Sequence, residues 1–173
     1  PDFPEEGASY HGTSLTGMLV ADSNNMQGIA SMNPGNFLIL PIKVANDQAI
    51  TLCSSLINGV FRAVNAGADI INISLGKKFS EDVFHCGSAL ADATNRAIRR
   101  GVFVTIAAGN AEYNEFGEMI PPVKIESPLE LKIGSKCLYF PSCLARKFRG
   151  MVTVASLDET YKDLADFSNY GDV

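Results

Sequence analysis

Val102-Phe103-Val104-Thr105-Ile106-Ala107-Ala108-Gly109-Asn110 is a nearly continuous apolar run closed by a glycine and an amide. A strand apolar on both sides is one buried on both faces, as in a parallel sheet held between helices. The same design stands upstream, where Asp69-Ile70-Ile71-Asn72-Ile73-Ser74-Leu75 ends at Gly76. Between the two, residues 88–100 set Ala89, Leu90, Ala93, Ala97 and Ile98 at helical spacing and stop at Gly101. Residues 50–66 repeat that spacing with Cys53, Leu56, Ile57, Val60, Phe61 and Val64, and Gly67 is their stop. Phe37–Val44 reads as a further strand, although Pro41 costs it a ladder donor, and Met151–Ala155 reads as the last. Strands and helices alternating through short glycine turns predict an α/β fold of three layers, a mainly parallel sheet flanked by helices. Residues 111–150 break the alternation. Pro121, Pro122, Pro128 and Pro141, with few periodic apolar positions, predict an irregular loop insertion on the surface.

The 173 residues are enough for one domain with a sizeable core. With 46% hydrophobic and 19% charged residues the composition is that of a globular protein. The net charge is −5 and no basic run exists, which argues against a nucleic-acid partner. No stretch of apolar residues is long enough for a membrane span in this segment. None of Cys53, Cys86, Cys137 and Cys143 forms a C-x-x-C pair, so a zinc ribbon or thioredoxin site is not expected. Cys137 and Cys143 are close enough in sequence for a local bridge; the alternative is four buried thiols acting as small apolar side chains. Pro1–Glu6 shows neither an initiator Met nor a signal-peptide pattern, and Asn169–Val173 shows no closing element. The chain therefore reads as a partial domain, 1–173, incomplete at both ends.

In open α/β sheets, ligands bind beyond the carboxyl ends of the strands. Two such ends are chemically distinctive here: Ser74-Leu75-Gly76 and Ala107-Ala108-Gly109-Asn110. Small residues let a second backbone come close, so an extended peptide could add a strand. The Asn110 amide could donate into a cleft and stabilise an oxyanion during acyl transfer. By spacing alone a turn or cap residue hydrogen-bonding its own backbone is the favoured reading. His11 precedes an apolar pattern at Leu15, Met18 and Leu19, which places it at a helix start. A histidine acts as general base only with a nucleophile and an orienting carboxylate beside it. His85 reads as structural or exposed. The absence of Gly-x-Gly-x-x-Gly, Gly-x-Ser-x-Gly and P-loop patterns argues against a nucleotide-binding domain or another α/β hydrolase.

His11-Gly12-Thr13-Ser14-Leu15-Thr16-Gly17-Met18 resembles the histidine motif of the subtilases, the subtilisin-like serine peptidases. Asp69–Gly76 resembles that family's substrate-binding strand, and Ala107–Asn110 the strand ending at its oxyanion-hole asparagine. Val152–Ser156, followed by Ala165-Asp166-Phe167-Ser168-Asn169-Tyr170-Gly171, resembles the stretch leading to the nucleophile. The four motifs occur in the family's order over most of the chain. The resemblance implies a serine endopeptidase in which His11 is the base and Asn110 the oxyanion donor. Ser74, Leu75 and Gly76 would bind substrate backbone, and Ala107, Ala108 and Gly109 would wall a roomy, apolar pocket. It also implies a peptide or protein substrate, a propeptide as a further partner, and the secretory pathway or secretion.

The departures matter as much. Only ten residues precede His11, and neither Asp2 nor Glu5 and Glu6 has the context of the triad acid. No Gly-Thr-Ser-Met-Ala-x-Pro motif follows; Gly12-Thr13-Ser14 lacks the proline, and Ser14 reads as a helix residue. Truncation is the simpler explanation, and a degenerate subtilase-like peptide-binding module is the other. No cofactor is expected. Calcium occurs in the family, but the Ala21–Gly28 loop is shorter than the bacterial calcium loop, so no metal site is assigned.

Overall fold

The computed structural model describes residues 10–32, 37–46, 51–78, 81–122, 124–125 and 139–171, with side chains except at 77–78, 81–86 and 139. In chain order the elements are α1 (His11–Val20), α2 (Cys53–Asn65), β1 (Ile70–Ile73), β2 (Lys77–Lys78) and α3 (Glu81–Arg99). Then follow β3 (Phe103–Ala107), β4 (Lys124–Ile125), β5 (Tyr139–Phe140), a 3-10 helix (Ser142–Lys147), β6 (Met151–Val154) and β7 (Tyr170–Gly171). β1, β3 and β6 form a parallel sheet in the order β1-β3-β6, with Ile73 opposite Ile106 and Val104 opposite Met151. β2 with β5 and β4 with β7 are two-residue ladders outside it.

The helices end for a shared reason. Gly67 and Gly101 adopt φ of +81° and +86°, a region open to glycine at no steric cost. Beyond α2, Gly67 N–H donates to the Val64 carbonyl and Ala68 N–H to that of Ala63. Beyond α3, Gly101 N–H donates to Ile98 and Val102 N–H to Ala97, the same double closure. Each turn delivers the chain directly into a sheet strand. α3 begins at Glu81, several residues ahead of its apolar periodicity.

One face of the sheet is closed. Ile71, Ile73, Val104, Ile106 and Met151 pack with Val60 and Ala63 of α2 and Leu90, Ala93 and Ala97 of α3. Val104, Ile106, Leu90 and Ala97 are each no more than 1% exposed. The other face is open among the described residues, where Ile70 and Val154 are 56% and 55% exposed and Phe103 is 41% exposed.

Two expectations meet a different structure. Phe37–Val44 forms no strand; the nearest pairing is a single bridge between Ala45 and Thr51. Pro41 withholds a ladder donor, and the segment lies along α2 instead. Its closest approach is at Gly59, where an added Cβ would come within 2.7 Å of Val44 Cγ1. The segment's apolar character comes from that contact and from surface exposure, Leu38 being fully exposed, and not from sheet burial. Within 111–150, the surface loop does not extend to residues 139–150. Phe140, Cys143, Leu144 and Ala145 are core residues, and Ser142 O accepts from the Thr153 hydroxyl on β6 at 2.7 Å. The Phe140–Pro141 peptide bond is cis. Residues 113–119 form a tight turn, its Asn114 Oδ1 accepting from the N–H groups of Phe116 and Glu118. Cys53 and Cys143 are each disulfide-bonded, so neither is a buried thiol; Cys137 and the Cys86 side chain lie outside the described residues.

Candidate active site

The carboxyl ends of β1 and β3 lie side by side because the two strands are parallel and in register through Ile73–Ile106. Ser74-Leu75-Gly76 and Ala107-Ala108-Gly109-Asn110 therefore emerge at one edge of the sheet. His11, the first residue of α1, reaches the same edge. Its Nε2 stands 3.1 Å from the carbonyl oxygen of Ser74. A carbonyl can only accept, so the contact becomes a hydrogen bond when Nε2 carries a proton. Tyr10, the N-cap of α1, makes no side-chain capping hydrogen bond, and the helix contains no buried residue. The Thr16 hydroxyl bonds back to Gly12 O at 2.8 Å, and Ala21 ends the helix by turning extended. Ser14 is the helix residue expected.

The Ala107–Asn110 end is clamped. Ala108 is 2% exposed, and its N–H donates to Val154 O on β6. Gly109, at φ +84°, turns the chain out of the sheet. A strap then crosses it: Asn110 and Ser168 form an antiparallel bridge, and Ala111 N–H donates to Phe167 O at 2.6 Å. Asn169, 1% exposed, donates its backbone N–H to Gly109 O at 3.0 Å and its side-chain Nδ2 to Ala108 O at 3.2 Å. Ser168, also buried, ties the strap to the end of β6 by accepting from Ser156 N–H. Asn110 is thus fixed through its main chain while its exposed carboxamide makes no hydrogen bond among the described residues. A rigid backbone carrying an uncommitted donor is the arrangement an oxyanion site requires.

The residues singled out in the sequence thus come to one edge, with His11 and Asn110 on separate elements. Three polar residues there were given no role by the sequence. Asn169 is one; Asn72 and Thr105, paired across β1 and β3, are the others. A shallow concavity of about 210 Å³ lined by Leu40–Lys43, Arg62 and Ala66 contains none of these residues. The one shifted carboxyl among the described residues lies elsewhere: the Thr160 hydroxyl, working against desolvation and helped by the N–H groups of Lys162, Asp163 and Thr160, holds Asp158 below the usual carboxylate range. No helix among the described residues is long and apolar enough to cross a membrane.

Comparison with known proteins fits this geometry. The family model described as the subtilase family matches residues 2–173. A thermophilic serine proteinase of Bacillus sp. is 28% identical over 98% of this chain and 34% of its own length. An extracellular protease of Xanthomonas campestris pv. campestris is 29% identical over 68% of the chain and 21% of its own length. The structure of the patellamide maturation protease PatA superposes with a TM-score of 0.63 at 26% identity, covering 95% of this chain and 49% of that one. The chain spans about a third of the length of the Bacillus relative.

Proposed function

Since the chain belongs to the subtilase family, we propose that its full-length protein is a serine endopeptidase whose base is His11 and whose oxyanion donor is Asn110. The observation that carries this reading is the convergence of both residues on one edge of the parallel sheet, with His11 Nε2 against Ser74 O. A serine from outside residues 1–173 attacks the scissile carbonyl. His11 takes the hydroxyl proton at Nε2 and returns it to the leaving amine, while an aspartate holds Nδ1–H. The Asn110 amide donates to the developing oxyanion. Ser74-Leu75-Gly76 receives the substrate's main chain as an added strand at the edge strand β1. Ala107, Ala108 and Gly109, whose last two carbonyls already accept from Asn169, form the wall of an apolar pocket. The reaction needs no cofactor. We extend the reading to secretion, supported by the extracellular relative, and to a propeptide as a second partner of the substrate edge.

The test is steady-state hydrolysis of a peptide substrate by the full-length, processed protein. Turnover is expected, and His11→Ala should lower it by ~10⁶, the scale measured for loss of the triad histidine in subtilisin itself. Residues 1–173 alone should be inactive. Undiminished turnover in His11→Ala overturns the assignment. A wild type that binds peptide at Ser74–Gly76 without cleaving it would establish the degenerate binding module instead.

A further inference from the structure

Thr105 and Asn72 are register partners in β3 and β1, both on the open face of the sheet. The Thr105 hydroxyl donates to Asn72 Oδ1 at 2.7 Å, and Asn72 Nδ2 donates to Ser74 Oγ at 2.9 Å. Ser74 follows the last register pair of the β1–β3 ladder, and its carbonyl meets His11 Nε2. An unbroken line of side chains therefore runs from the middle of β3, through β1, to the residue that touches the imidazole. A carboxamide suits the middle position because it accepts at one end and donates at the other. With the Thr105 proton directed at oxygen, the amide nitrogen is turned toward Ser74.

We propose that Asn72 and Thr105 are positioning residues that hold the Ser74 carbonyl against Nε2 of His11. The proposal rests on the reading of His11 as the general base and adds what that base leans on. A neutral base presents its Nε2 lone pair, which a carbonyl oxygen repels. Once Nε2 has taken the nucleophile's proton, the same oxygen accepts from the new N–H and faces a positive ring. The contact is worth more after proton transfer than before it, so it favours the transition state over the ground state. Its value depends on the carbonyl staying within a few tenths of an ångström, and the two side chains supply that constraint from the rigid part of the sheet.

The experiment uses the full-length protein with ¹⁵N-labelled histidine, and His11→Gln to assign the His11 ring signals. The wild-type Nε2 signal, which reports the ring nitrogen facing the Ser74 carbonyl, is the reference for the variants. Asn72→Ala and the near-isosteric Thr105→Val should each shift that signal and lower kcat roughly tenfold, with a smaller change in KM, as loss of one hydrogen bond to an ionised group implies. Thr105→Ser, which keeps the donor, should recover most of what Thr105→Val loses. A purely structural role would alter the melting temperature without moving the ring signal. His11 signals in Asn72→Ala that superimpose on wild type overturn the proposal. If Asn72→Ala fails to fold, the Thr105 pair decides, since equal ring signals in the Val and Ser variants also overturn it. A wild type without turnover would sink the peptidase reading alone, because the ring signals still report whether the side chains hold the imidazole.

Discussion

The two faces of the central sheet are made from the same kinds of residue and have opposite fates. On one, Ile71, Ile73, Val104 and Ile106 disappear beneath α2 and α3. On the other, Ile70, Phe103, Val152 and Val154 alternate with them along the same strands and stand 40–56% exposed. Alternation along a strand guarantees that neighbours face opposite ways, so one strand belongs to both environments. The closed face carries the fold. The open face carries the Thr105–Asn72 pair that leads to His11, with α1 lacking any buried residue at its edge. Stability and chemistry are thus divided by the plane of the sheet, and each substitution should register on one side of that division.

The largest structural effect belongs to the closed face. Leu90→Ala, at 1% exposure, should cost about 2–5 kcal/mol in a denaturant titration, through lost burial and the cavity left behind. Asn110→Ala should do the reverse. It should lower kcat of the full-length protein by roughly 10²–10³ while shifting unfolding by less than ~0.5 kcal/mol, which kinetics and a melt on one sample can compare. Phe103→Ala sharpens the contrast further. In residues 1–173 it should cost under ~1 kcal/mol, far less than the 3–5 typical of a buried phenylalanine, and a cost in that higher range would break the division of faces. The smallest effect is expected at Asp158. Its folded carboxyl is held low, chiefly by the Thr160 hydroxyl, so its contribution is present above the unfolded value and fades as pH falls through the folded one. Asp158→Asn should flatten that acid-side decline slightly, as read from thermal melts at neutral and acid pH, with solvent screening keeping it small.

What the sequence makes legible follows the same physics. β1 and β3 are readable because β-branched runs between glycine turns leave few alternatives, and their helices because alanine and leucine recur at helical spacing. Phe37–Val44 misleads because apolar content reports burial or contact without naming the partner, and here the partner is a helix. Residues 139–150 are illegible for the opposite reason: a two-turn 3-10 helix packs against β6 with no period to detect. His11 and Asn110 emerge only when several weak motifs are taken in order. Asn72, Thr105 and Asn169 stay hidden because their partners are 33 and 61 residues away, a relation that exists only once the strand register is set.

On the reading proposed above, a cell making this protein makes a hydrolase of its own kind of polymer. In this molecule the histidine rides on α1, a helix that contributes no residue to the buried core formed by the other elements. Segments with few buried contacts are the ones that open first and settle last. Core packing and the activity proposed above therefore depend on different parts of the chain, and the second rests on where ten residues of α1 sit.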